Sequence, residues 1–118
     1  MPALNNVQLI GRLGKDPETR FTPTGKKVCH FTFAVSRRNS DEADWFLVEA
    51  WERLGEVCQQ YLAKGRLVYI EGRLRTERWT DDKGETHYIT KVVARGMQML
   101  DRKPEEQDVA AEGDAPEA

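Results

Sequence analysis

The sequence predicts an all-β domain with one helix, folded as a small five-stranded Greek-key barrel. Three observations carry this. Apolar residues recur with period two over long stretches, the period switches once to that of an amphipathic helix, and the pattern is complete by residue 101 of 118. A chain of this length is one domain's worth and buries roughly two-thirds of its unfolded surface, so a single domain and not a large multidomain enzyme is expected. Hydrophobic residues at 39% and charged residues at 32% supply one modest core.

Ala3 to Leu13 opens as a strand, with Val7, Leu9 and Leu13 on one parity and Ile10 on the other. Gly11 and Gly14 interrupt it and predict a bulge or bend. Pro17 stops regular pairing, and Glu18 to Phe21 forms a short extended segment leading into Thr22-Pro23-Thr24-Gly25, the residue order of a type I turn. Lys27 to Arg38 is a long strand that places Cys29, Phe31, Phe33 and Val35 on one face and His30, Thr32 and Ser36 on the other. After the polar loop Arg37 to Asp44, the strand Trp45 to Trp51 carries Phe46, Val48 and Ala50 on one face; Trp45, Leu47, Glu49 and Trp51 share the opposite one.

Leu54, Val57, Cys58, Tyr61 and Leu62 then fall at the spacing of a helical stripe, with Gly65 placed as a C-cap. Leu67 to Trp79 returns to period two: Val68, Ile70, Gly72 and Leu74 point one way, and Tyr69, Glu71, Arg73, Arg75, Glu77 and Trp79 the other. The polar turn Thr80 to Glu85 leads into a last strand, Thr86 to Leu100, with Ile89, Val93 and Met97 on one parity. These last two of the five main strands, the fourth and fifth, make a long hairpin projecting from the body. A helix between the third and fourth main strands, in about 100 residues, fits a barrel of the oligonucleotide-binding kind (OB-fold). The domain spans residues 1–101. Residues 102–118, acidic and without aromatics, are expected to be a disordered tail.

The formal charge of −2 argues weakly against a nucleic-acid partner until the chain is divided. Residues 1–100 hold 16 Lys and Arg against 13 Asp and Glu, a balance of +3, whereas residues 101–118 hold 2 against 7, a balance of −5. The acidity belongs to the tail. The N-terminus has neither the basic start nor the apolar stretch of a signal peptide, and no apolar run reaches membrane-spanning length, so a cytoplasmic address and no membrane partner are expected. Cys29 and Cys58 stand far apart and read as buried thiols of a reducing compartment. With only His30 and His87 beside them, metal ligation is poorly supplied, and no cofactor or metal is expected. Ser36, His30 and Asp41 or Asp44 lack any motif that would fix them as a triad, and Gly11 to Gly14 is too short for a dinucleotide fingerprint, so no catalytic residue is assigned.

Binding a single strand needs cations along the phosphates and aromatic faces for the bases. Trp45 and Trp51 share one strand face, Arg73, Arg75 and Trp79 share another, and Arg12, Arg20, Arg37, Arg38 and Arg53 lie near strand ends and loops. Tryptophan is often a core residue, and Glu49, Glu71 and Glu77 stand among these cations as available partners. Alternation of aromatic and cation on one face favours stacking with phosphate contact.

Asn6 to Glu18 (NVQLIGRLGKDPE), Val68 to Thr76 (VYIEGRLRT), Trp79 to Asp81 and Met97 to Leu100 resemble the bacterial single-stranded DNA-binding proteins, in order and without large gaps from Leu4 to about Asp101. The resemblance implies sequence-independent binding and protection of single-stranded DNA in replication, recombination and repair, without catalysis, by a homotetramer associated with the nucleoid. It implies base stacking on Trp45, on Trp51 (usually phenylalanine in the family) and on Trp79 at the base of the hairpin. Phosphate contacts would come from Arg20, Arg53, Lys64, Arg73, Arg75 and Arg78. His30 and Phe46 would lie on assembly surfaces, Phe46 where many relatives have histidine. Two departures stand out. The loop Arg37 to Asp44 lacks the further stacking tryptophan of many members. The chain ends Gly113 to Ala118 without the aromatic tip that docks replication and repair proteins, so such tail-mediated partners are expected to be weak or absent. Other readings are a protein-interaction module on the same barrel, or a binder of RNA or oligosaccharide.

Overall fold

The computed structural model describes residues 1–101; the expected acidic tail, residues 102–118, lies outside the described residues. The strands are β1 (Val7–Leu13), β2 (Glu18–Phe21), β3 (Lys27–Ser36), β4 (Ala43–Trp51), β5 (Leu67–Thr80) and β6 (Thr86–Met99), with α1 (Glu52–Tyr61) between β4 and β5. The expected order is therefore present, and the short segment before the first turn is a sixth strand. That turn is closed by the Gly25 N–H donating to Thr22 O at 2.8 Å.

Pairing runs β1–β5–β6–β4–β3, and β3 returns to β1, so the sheet closes on itself as a ring. One edge of β3 holds β2 along Lys27–His30 and the end of β1 at Phe33 and Ala34. The β4–β6 seam is short and parallel, at Val48↔Val92 and Glu49↔Val93. Inside the ring lie Leu13, Cys29, Phe31, Phe33, Val48, Ala50, Val68, Ile70 and Val92, joined by Cys58 and Leu62, which bring α1 over one end. The alternation read along β1, β3 and β4 matches this core: Ile10 is exposed whereas Leu13 is buried.

Four local expectations are corrected. A bend does fall at Gly14, just past the end of β1, but β1 has no bulge at Gly11. Glycine is needed there because a Cβ would sit 2.3 Å from the carbonyl oxygen of Ala34, where β1 crosses from β5 to β3. The irregularity falls instead at Glu71/Gly72, which pair with Gly96 and Ala94 and leave Arg95 as the extra residue of β6. One inserted residue exchanges the faces of the strand, so Val92, not Val93, is the fully buried residue, while Met97 and Met99 pack against the core beyond the bulge. Leu74, expected inside, lies on the projecting hairpin past the core and is 42% exposed.

Gly65 does not cap α1. The helix stops at Tyr61 with Leu62 extended, and Gly65 takes φ of 87° in the following turn, donating its N–H to Leu13 O at 2.9 Å. Phe46 shares the inward face of β4 with Val48 and Ala50 and packs against the core while remaining partly exposed.

Candidate nucleic-acid interface

All three tryptophans lie on the outer face of the ring, and the register shows why. On β4, Trp45, Glu49 and Trp51 alternate with the core residues Val48 and Ala50 and so point outward. Glu49 is level with Val93 of β6, Val93 with Arg73 of β5, and the outward positions then continue up the hairpin as Lys91↔Arg75, Ile89↔Glu77 and His87↔Trp79. The face that begins at Trp45 thus runs without interruption to Trp79.

Trp45 is 62% exposed, opposite Ala34. Its indole lies over Gly14, where a Cβ would come within 2.5 Å of the ring. The loop carrying Lys64 is tied to this end, since the Lys64 N–H donates to Asp16 Oδ1 at 2.8 Å. Trp51 is half-buried and stands about 20 Å further along β4, six residues at roughly 3.3 Å each. Its row across the sheet is Trp51, Val28, Arg20, which puts Arg20 two strands away on the same face.

Trp79 is 50% exposed. It sits two residues before the turn, at the tip of the hairpin and not at its base, and stacks on His87 with ring centroids 5.0 Å apart and planes at 24°. The turn is fixed by Asp81: Oδ1 accepts the N–H groups of Lys83 and Glu85, both at 2.9 Å, and Oδ2 lies 2.7 Å from His87 Nε2. The His87 bond, followed by these backbone bonds, holds the Asp81 carboxyl below its usual range. Asp81, Glu85 and His87 also bring their ligand atoms within 4.8 Å of one another, a grouping that their scatter along the chain conceals. The turn's own hydrogen bonds account for Asp81 and His87 there.

The cations divide. Arg20, Arg53, Lys64 and Arg73 are exposed, and none of their charged ends meets a carboxylate among the described residues. Arg73 and Arg20 are in rows of the tryptophan face, Arg53 lies in the first turn of α1 two residues after Trp51, and the Lys64 backbone is held by Asp16, two residues from the Gly14 on which Trp45 lies. Arg78 is exposed but alternates to the opposite side of the hairpin from Trp79.

Arg75 is different. It pairs with Glu49 at 2.9 Å and with Glu77, and its guanidinium carbon stands 5.9 Å from the centroid of the Trp51 ring. Lys91 pairs with the same two carboxylates, Glu49 at 2.9 Å and Glu77 at 2.8 Å. Sequence reasoning allowed for Glu49 and Glu77 as partners of the arginines but missed Lys91, whose signal was a single charge between Ile89 and Val93. Glu71 instead accepts the Tyr69 hydroxyl at 2.8 Å.

His30, expected on an assembly surface, does face outward in the row Glu18, His30, Glu49. Its Nε2 is buried without a hydrogen bond, 3.7 Å from Glu18, and burial, helped by Arg20, lowers its pKa. No helix among the described residues is long and apolar enough to cross a membrane.

Comparison with known proteins agrees with this geometry. Residues 4–100 match the model of the single-strand binding protein family. The chain is also similar to single-stranded DNA-binding protein 1 of Chlorobaculum tepidum, 47% identical over an alignment of 108 residues that covers 85% of this chain and 67% of that protein. The chain belongs to the single-strand binding protein family.

Proposed function

We propose that this chain binds single-stranded DNA without sequence preference and without catalysis, protecting it in replication, recombination and repair. The ring is then the five-stranded Greek-key barrel of the oligonucleotide-binding kind, with β2 as an added edge strand. The observation that carries the reading is the single outer face, from β4 across β6 to the hairpin, on which Trp45, Trp51 and Trp79 all stand. Such a spacing offers stacking at intervals, each base contributing ~1–3 kcal/mol, while Arg20, Arg53, Lys64 and Arg73 meet the phosphates between them. Stacking is indifferent to base identity, which is why the binding would be sequence-tolerant.

One chain offers a short path, so the homotetramer implied by family membership would supply the length, in the cytoplasm where single strands arise. The test is a competition titration: labelled oligo(dT) bound to the protein is challenged with oligo(dT), oligo(U) and duplex DNA. Displacement by oligo(dT) well below the concentrations of the other two is expected. Preference for oligo(U) would make the chain an RNA binder, and failure of all three would favour a protein-interaction module. Sedimentation showing a monomer at micromolar concentration would overturn the tetramer.

A further inference from the structure

The four charged groups beside Trp51 form a closed set. Each cation, Arg75 and Lys91, touches both carboxylates, Glu49 and Glu77, so the set is neutral and its charges are satisfied internally. Glu49 is among the least exposed charged residues of the described chain, at 8%. Its Oε1 accepts the indole N–H of Trp51 at 3.3 Å and the Arg75 guanidinium at 2.9 Å, so one carboxylate oxygen fixes both the edge of the ring and the cation beside its face. The Arg75 Nε is buried with no partner, so this guanidinium is sunk at its stem and turned toward the protein.

Burial alone would lower the Lys91 pKa, yet its bonds to Glu77 and Glu49 raise it; Lys91 in turn leads the groups that lower the Glu77 carboxyl. The set is tied together in its charged form. An Arg75 that turned away to a phosphate would leave Glu49 short of a partner where water scarcely reaches it.

We propose that Arg75 and Glu49 are positioning residues, not DNA ligands: with Lys91 and Glu77 they hold the Trp51 indole as a neutral stacking platform, and Arg75 makes no phosphate contact. This rests on the stacking role proposed for Trp51. It divides the outer face by function, with free cations at Arg20, Arg53, Lys64 and Arg73 and a charge-neutral patch at the strand-to-hairpin seam.

The experiment measures oligo(dT) affinity against salt for the full chain and for Arg75→Gln, Arg75→Lys and Arg73→Gln, with the two Arg75 variants repeated in a Trp51→Ala background. Arg73→Gln, as the phosphate reference, should reduce the salt slope by about 0.7. Both Arg75 variants should weaken binding roughly three- to tenfold at an unchanged slope, because lysine keeps the charge but not the planar fork that spans two carboxylates beside a ring. In the Trp51→Ala background that loss should vanish. The inference is overturned if Arg75→Gln lowers the slope as Arg73→Gln does while Arg75→Lys binds like the parent. If Trp51→Ala itself binds like the parent, stacking at Trp51 fails and the inference falls with it, a result distinct from a changed slope. Arg75→Lys keeps the charge count of the cluster, so it remains informative should the glutamine variant not fold.

Discussion

Ionic strength is the perturbation that the charge layout predicts most directly. Each phosphate neutralised on a single strand contributes a slope of roughly −0.7 in the logarithm of affinity against the logarithm of salt. Arg20, Arg53, Lys64 and Arg73 are the candidates that are both exposed and clear of carboxylates near the tryptophan face. Four contacts give a slope of roughly −2.8, so a fourfold rise in salt should weaken binding roughly 50-fold. Adding Arg75 and Lys91 would steepen the slope to roughly −4.2 and the loss to roughly 300-fold. The two cases are separable by fluorescence anisotropy with a labelled oligo(dT) short enough to engage one chain. Arg78→Gln is the internal control: from the opposite side of the hairpin it should leave the slope unchanged. A slope shallower than about −1 would refute phosphate contact by these side chains, and one near −4 would refute the neutrality assigned to the Arg75 cluster.

Three further outcomes are expected. A Cβ at Gly72 would lie 2.1 Å from the carbonyl oxygen of Val93, so Gly72→Ala must spread β5 from β6 and should cost about 3 kcal/mol in urea unfolding; Gly25→Ala, in open space but at φ of 88°, should cost about 1 kcal/mol. Burial pushes the Cys29 thiol up to about 11 and the Cys58 thiol up to about 12, so a disulfide reagent at about pH 8 should leave both unmodified in the native chain and label both after unfolding. The depressed Glu77 carboxyl contributes stability above its ordinary pKa that is lost as the pH falls through the folded value, and the raised Lys91 contributes below its ordinary pKa and loses it as the pH rises through the folded one. In a chain with Trp45→Phe and Trp79→Phe, the Trp51 emission maximum should therefore hold from pH 4.5 to pH 10.5, the ordinary pKa values of the two groups, and shift only further out, below the first and above the second.

The core was legible wherever alternation survives intact. Cys29, Phe31 and Phe33 on β3, Val48 and Ala50 on β4, and Val68 and Ile70 on β5 stand as their parity predicts. Parity also put Trp45, Trp51 and Trp79 on the polar sides of their strands, which proves to be one continuous face. It failed on β6, where nothing in the run from Val92 to Met97 marks Arg95 as the residue a bulge leaves over; the glycine that did mark the close approach, Gly72, is on the partner strand. The end of α1 was misplaced because Gly65 serves the turn into β5, a tertiary contact with Leu13 that helix spacing does not reveal.

Candidate cations were legible as residues but not as a pattern of charge. Arg73 and Arg75 look equivalent in sequence, two residues apart on one face. Only the β4–β6 seam, which brings Glu49 to Arg75 and its hairpin partner Lys91, separates a free guanidinium from a neutralised one. Phe46, by contrast, was legible: its parity on β4 sets it toward the core, where it is partly buried.

Intrinsic tryptophan fluorescence during titration with oligo(dT) at low salt tests the central claim most directly. Bases stacking on Trp45, Trp51 and Trp79 should quench the emission to saturation, and replacing any one of them with alanine should remove part of the quench and weaken binding by ~1–3 kcal/mol. Unchanged emission together with an unshifted band on a gel under the same conditions would contradict it.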